Sequence, residues 1–319
     1  MRILFFALIG MVAFEAFVPW QEVLDRWMAG KSLVIQRDVT FWQEGREKLA
    51  LDLVRPRAAG LFPAVIFVHG GGWRVEGNAF RSEIFSAAKH GYVAARIHYR
   101  LLDMENGHAT HQFPTQLADL RSAIKWIRAN AAELCVDENR IALVGMSAGG
   151  QLALLAGFRE GADPAENASI KAIVNFYGPT DLLDGYVRHQ ASRALLETFL
   201  DGTPEEVPNQ YLEASPVNFV SKDNPPVLTL HGEDDTTVPV QQAQLLDERM
   251  RAVGASHTLV VLPGETHGFT REGARQAHRL MYEFLDRNLH HNGLPDRRGE
   301  AAEVRTAQGD FLKAQSTSN

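Results

Sequence analysis

Short apolar runs of strand length alternate with amphipathic helical patterns along most of this chain, and few architectures accommodate that order. Pro63 opens Ala64-Val65-Ile66-Phe67-Val68, an uninterrupted β-branched and aromatic run followed by glycines. A strand without polar alternation must be covered on both faces, which is the situation of a parallel strand between layers of helices. Runs of the same kind recur at 92–99, 141–144, 172–176, 227–230 and 258–262. Between them, Leu117, Leu120, Ile124 and Ile127 fall at helical spacing after Pro114, with Asp119, Arg121, Lys125 and Arg128 on other faces. Further helices are expected at 81–90, 148–158, 241–253 and 274–289. Upstream, 33–42 and 48–54 read as a hairpin around Glu44-Gly45-Arg46. The expectation is an α/β fold with a mostly parallel sheet of about eight strands and helices on both faces.

The alternation stops between Gly178 and Pro225, where 182–200 and 205–214 read as short helices without strands. We expect a small helical cap inserted at about 180–222 of a domain spanning 31–291, and a mobile tail over 292–319, which lacks apolar periodicity. The segment 1–30 carries two readings. Met1-Arg2 and the apolar run 3–14 look like a secretory signal, which needs about 7–15 apolar residues. No clean small-x-small cleavage site follows, and an amphipathic helix continuing through Trp20, Val23, Leu24 and Trp27 fits equally. A secreted or periplasmic location follows from the first reading and a cytoplasmic one from the second. Glu15 interrupts the run before the ~20 residues of a membrane span, so no stable transmembrane anchor is expected. The lone Cys135 cannot form an intramolecular disulfide and is expected to pack as a small hydrophobe. With 32 Lys and Arg against 39 Asp and Glu, and no basic run, a nucleic-acid partner is excluded and a small neutral substrate fits better.

Chemistry is expected beyond the carboxyl ends of the strands, where open α/β sheets bind their ligands. Gly145-Met146-Ser147-Ala148-Gly149 follows the run 141–144 directly and precedes a helical pattern. That is G-x-S-x-G in its required context, a sharp strand-to-helix turn lifting a serine hydroxyl above the sheet. Ser147 is the expected nucleophile. His69-Gly70-Gly71-Gly72-Trp73 follows the run ending at Val68, where an HGGG-type oxyanion loop belongs. Residues without side chains let backbone N–H groups approach a substrate oxygen, and the expected donors are Gly71, Gly72 and Ala148. Trp73 is expected to line the substrate pocket or to pack the loop. Downstream, the stretch from His231 to Pro239 brings Asp234 and Asp235 to the same edge, and Pro263-Gly264-Glu265-Thr266-His267 follows the last run. Neutral His267 would take the hydroxyl proton while the acid holds its tautomer. Spacing does not separate Asp234 from Asp235. His231 is expected to be structural. His108 and His111 have H-x-x-H spacing without a second ligand cluster, so no metal is expected. Hydroxyl, imidazole and backbone donors suffice for acyl transfer without a cofactor.

From about residue 50 to residue 289 the chain resembles the esterase group that contains the feruloyl-esterase-like and hormone-sensitive-lipase-like α/β-hydrolases. The resemblance rests on His69–Trp73 read as HGGGW, Tyr99-Arg100-Leu101, Phe113-Pro114, the Gly145–Gly150 turn, Ser215-Pro216, Pro225-Pro226, His231-Gly232, Val238-Pro239 and His267-Gly268-Phe269. It implies an α/β-hydrolase fold, and it makes Asp235, the D of H-G-x-x-D-x-x-V-P, the acid. Met146 stands where hormone-sensitive-lipase-like members carry an acidic residue, which moves the likeness toward the feruloyl-esterase-like branch. The implied activity is that of a serine carboxylesterase on a small ester, acyl or aryl, and by analogy on acetyl or feruloyl esters linked to carbohydrate. An arylformamidase-like amide hydrolase would share the same groups. A non-catalytic binding protein of this fold would be expected to lack the nucleophile or the base, and both are present.

Overall fold

The computed structural model describes residues 28–159 and 170–290; the amino-terminal apolar segment through Trp27 and the tail from residue 292 lie outside the described residues. Strands β1 (Leu33–Glu44) and β2 (Glu47–Pro56) form the antiparallel hairpin expected around Gly45-Arg46. Then come β3 (Phe62–Val68), β4 (Val93–Ile97), a short ribbon of β5 (Asp103–Glu105) and β6 (His108–Thr110), β7 (Val136–Met146), β8 (Ala172–Phe176), β9 (Val227–Gly232) and β10 (His257–Leu262). All but the ribbon join one eight-stranded sheet in the order β1-β2-β4-β3-β7-β8-β9-β10. β2 is antiparallel to both its neighbours, and every pairing from β4 to β10 is parallel.

The apolar runs are continuous because both faces of the central strands are buried. Ala64, Ile66 and Val68 of β3 and Ile141 and Leu143 of β7 point into one core, with helices α2 (Thr115–Ala129), α4 (Ala148–Arg159) and α8 (Gln241–Val253). Val65, Phe67, Ala142 and Val144, their alternate neighbours, point into the other, against α1 (Glu83–Lys89) and α9 (Arg271–Leu289). Each fully buried Val, Leu, Ile or Phe among them stabilises the fold by about 1.5–3 kcal/mol. In α2 the buried stripe is the expected Leu117, Leu120, Ile124 and Ile127. Asp119 is buried as well, and Arg100 grips it through Nη2 at 2.6 Å and Nε at 3.1 Å. That charge-assisted pair fastens the segment after β4 to the helix.

The structure differs from the sequence expectation in several places. The stretch 182–200 is broken into α5 (Leu182–Arg188), a 3₁₀ turn at Gln190–Ser192 and α6 (Arg193–Leu200), because His189 takes an extended conformation. α7 (Pro208–Glu213) follows, opened by proline. The strand expected at 141–144 starts earlier, at Val136, after the one-turn helix α3 (Ala131–Leu134). Cys135 is only half-buried, at φ 61°, where its carbonyl accepts the Phe62 N–H at 2.8 Å. Its main chain, more than its thiol, joins β7 to β3. The ribbon β5–β6 adds a feature the sequence does not announce, because three residues per strand, Asp103-Met104-Glu105 and His108-Ala109-Thr110, are too few for alternation to mark a strand.

Candidate active site

Parallel strands β3, β7, β9 and β10 end at one edge of the sheet, and the loops leaving them carry the glycine loop, Ser147, Asp234, Asp235 and His267. Ser147 lies between β7 and α4 with φ 51°, a left-handed conformation that few side chains other than glycine adopt. Its amide donates to Phe176 O at 2.8 Å, so the turn is tied to β8. Gly149 makes the turn possible: a Cβ there would stand 2.2 Å from Val68 O and 2.3 Å from His69 O. Gly149→Ala is therefore expected to destabilise the fold by about 1–3 kcal/mol or more, read as a lower urea midpoint with an unchanged m-value.

His267, on the loop after β10, reaches Ser147 Oγ through Nε2 at 3.0 Å, and its Nδ1 lies 2.7 Å from Asp235 Oδ2. The carboxylate can only accept, so Nδ1 carries the hydrogen and the Nε2 lone pair faces the serine hydroxyl. Of the two adjacent carboxylates, Asp235 is 5% exposed, whereas Asp234 points to solvent. Asp235 Oδ1 accepts the Thr237 and Val238 amides, each at 2.9 Å. Burial by itself would raise the Asp235 pKa, but hydrogen bonds from His231, His267 and Val238 prevail and hold the carboxyl below the usual range. His231 is fully buried, with Nε2 2.7 Å from Val238 O and 3.3 Å from Asp235 Oδ2. Both neighbours are acceptors, so this nitrogen is the protonated one and His231 braces the acid loop. Tyr177 was missed by sequence reasoning. Its ring packs 4.6 Å from that of His267, a contact between segments far apart in the chain that no local pattern announces.

The glycine loop lies beside the nucleophile, close enough that a Cβ on Gly70 would stand 3.0 Å from Ser147 Cβ. Among the backbone hydrogen bonds of the described residues, none uses the amides of Gly71 or Gly72 as donors, and Ala148 opens α4, whose first N–H groups have no partner within the helix. Trp73 is buried, its indole N–H donates to Gln151 Oε1 at 3.1 Å, and its ring stacks on Phe199 at 4.0 Å. It packs the loop between α4 and α6 and leaves almost no surface for a ligand. The insertion touches the loop again where Leu195 Cδ2 would lie 3.2 Å from a Cβ on Gly72. A hollow of about 450 Å³, lined by Asp184, Arg188, His189, Pro239, Gln241 and Gln242, adjoins the acid loop without reaching Ser147 or His267.

Among the described residues, Asp38, Asp52 and His98 have ligand atoms near enough to share a metal, within 4.8 Å of one another. Arg37 and Arg96 approach Asp52 at 2.7 and 3.6 Å, so its charge is already met by two guanidinium groups. His108 lies exposed on β6 while His111 bonds to Leu101 O at 3.1 Å, and the pair does not form a ligand cluster. No helix of the described residues is long and apolar enough to cross a membrane.

The model of the BD-FAE family matches residues 51–250, which take in the glycine loop, the serine turn and the acid loop. The chain belongs to the BD-FAE family. Esterase LipC of Mycobacterium tuberculosis is 36% identical over 233 residues, 67% of this chain and 55% of LipC, so the match spans about half of that relative. Among solved structures, a truncated carbohydrate esterase from gut microbiota superposes with a TM-score of 0.68 at 25% identity, over 80% of this chain and 96% of the other. Butyrate-bound Est2, an esterase of Thermogutta terrifontis, gives 0.66 at 26% identity, over 82% and 97%. With its sheet order and these neighbours, this BD-FAE member has the α/β-hydrolase fold.

Proposed function

We propose that this BD-FAE member is a serine carboxylesterase acting through an acyl-enzyme on Ser147. The observation that carries the reading is the continuous relay from Ser147 Oγ through His267 to the buried Asp235, at 3.0 and 2.7 Å. Ser147 Oγ attacks the ester carbonyl while its proton passes to His267 Nε2, and Asp235 stabilises the imidazolium. The new oxyanion faces the amides of Gly71, Gly72 and Ala148, charge stabilisation that matters most at the tetrahedral stage. Collapse expels the alcohol, which leaves with the proton from His267. Water then repeats the sequence on the acyl-enzyme, releasing the acid and restoring the serine hydroxyl.

Short acyl or aryl esters are the proposed substrates, a choice supported by the butyrate bound to the Thermogutta relative. The carbohydrate esterase relative supports extending the range to carbohydrate-linked esters, of which acetyl and feruloyl esters of plant polysaccharides are the members we propose. A panel of p-nitrophenyl esters from acetate to decanoate, with methyl ferulate, acetylated xylan and N-formylkynurenine, tests the assignment. The expected result is highest kcat/KM on acetate to butyrate or on methyl ferulate. A clear preference for the formamide would replace the esterase reading by an amidase one.

A further inference from the structure

Behind the glycine loop lies a group of charges that the proposed ester chemistry does not use. Arg96, on β4 in the interior of the sheet, has a fully buried side chain. A guanidinium so placed is costly unless acceptors surround it. Its Nε donates to Ala79 O at 2.8 Å, and Nη2 donates to Gly77 O at 3.0 Å and to Glu76 Oε1 at 2.5 Å. Its Nη1 lies 3.6 Å from Asp52 Oδ2, which Arg37 also approaches at 2.7 Å. His98, just past the end of the same strand, shares Glu76 Oε1 through Nδ1 at 2.6 Å and faces Asp52 through Nε2 at 3.8 Å. Glu76 is thereby held by two cationic groups, one on β4 and one just past its end.

Glu76 continues from Val75, and Val75 grips the loop. The Val75 N–H donates to Gly71 O at 3.1 Å, and its own carbonyl is so near Gly71 that an added Cβ would stand 1.9 Å away. Gly71 takes φ +99°, which a side chain would resist even without that clash. A short path of close contacts thus joins β4, through Glu76 and Val75, to Gly71 O and so to the planar peptide that also carries the Gly72 N–H.

We propose that Arg96, Glu76 and His98 are positioning residues that, by fixing Gly71 O, hold the Gly72 N–H of the same peptide in line with the developing oxyanion. This rests on the esterase reading, in which Gly72 is a donor. Charge balance supports it. Burial would lower the His98 pKa, but the carboxylates of Asp52 and Glu76 raise it to about 9, so the imidazolium persists at neutral pH. Burial would raise the Glu76 pKa, but His98 and Arg96 bring it down to about 2. Arg96 Nη1 stands 3.5 Å from His98 Nε2, a like-charge approach offset by the two carboxylates between Arg37, Arg96 and His98. His69 is kept neutral by burial, its pKa lowered to about 4, and adds no charge to the group.

The test is steady-state kinetics of Glu76→Gln and His98→Gln in the full chain, at a temperature where near-UV circular dichroism shows each variant folded, beside affinity for an aryl trifluoromethyl ketone. That ketone forms a tetrahedral adduct with the serine and needs the oxyanion donors. Outright loss of one donor lowers turnover by about 10²–10³, so misplacing one is expected to lower kcat at least roughly tenfold while KM stays within about twofold. Ketone affinity should fall in step with kcat, and Arg96→Lys should fall between the wild type and Glu76→Gln. Unchanged kcat and ketone affinity with a lowered melting temperature would overturn the proposal and leave a purely structural clamp. Glu76 and His98 are partly exposed, at 29% and 23%, so if one variant fails to fold the other carries the test. Ser147→Ala separates the layers: turnover surviving in that variant defeats the esterase reading, whereas its loss beside normal kcat in the clamp variants defeats only this inference.

Discussion

Ser147→Ala is expected to lower kcat by a factor on the order of 10⁶ while leaving the fold and its unfolding midpoint nearly unchanged. The magnitude follows from the relay acting as a unit: without the hydroxyl, His267 has no proton to take and Asp235 no imidazolium to stabilise. What remains is whatever the glycine-loop amides and substrate binding contribute to direct attack by water, typically 10³–10⁴ over the uncatalysed rate. Stability should be spared because the turn is held through backbone, by Ser147 N on Phe176 O and by Gly150 N on Ser147 O at 2.9 Å, and the hydroxyl takes no part in either bond. The measurement is single-turnover hydrolysis of p-nitrophenyl acetate beside chemical denaturation. Hydrolysis at an undiminished rate would remove Ser147 from the mechanism.

Asp235→Asn should come next in size, with kcat lowered by about 10⁴. The amide can still accept the Thr237 and Val238 N–H groups through its oxygen, which keeps the loop in shape. Its NH₂ then faces His267 Nδ1 and His231 Nε2, where the carboxylate had accepted. His267 would have to turn Nδ1 into an acceptor and carry its hydrogen on Nε2, the tautomer that cannot take the serine proton. Asp234→Asn is the companion measurement. Its side chain is exposed, and its backbone N–H, which donates to Glu265 O at 2.9 Å, is untouched by the change. A loss of less than about threefold is expected, as for surface changes away from any special contact. The reverse ranking of the two variants would move the acid role to Asp234.

The depressed Asp235 pKa sets the direction of an acid effect on stability. A carboxyl whose folded pKa lies below its unfolded value contributes stability that is present above about pH 4 and is lost as pH falls through the folded value. Glu76, at about 2, acts in the same direction, whereas His98, raised to about 9, contributes below about 6.5 and loses its contribution as pH rises through 9. Maximal stability is expected between these limits, and the unfolding midpoint should fall on both sides.

Read alone, the amino-acid sequence determined the kinds of elements, their order and the loops that carry chemistry. Those signals are local: a period of two or 3.6, a proline, or a glycine-flanked serine is written within a few residues of where it acts. The strand runs, the covering helices and the Ser–acid–His order were all legible for that reason. Tertiary structure alone decided what depends on packing between distant segments. It buried Asp235 and exposed Asp234, although the two are chain neighbours. It turned Trp73 from the candidate pocket toward Phe199 and Gln151, and it split the insertion at His189. Arg96 and His98 stood in the sequence as charges within an apolar run, a sign that partners must exist somewhere. Which partners they find, Glu76 on the loop and Asp52 on β2, is set by strands that meet only after the chain has folded, since desolvating a charge is tolerated only where opposite charge and hydrogen bonds arrive with it.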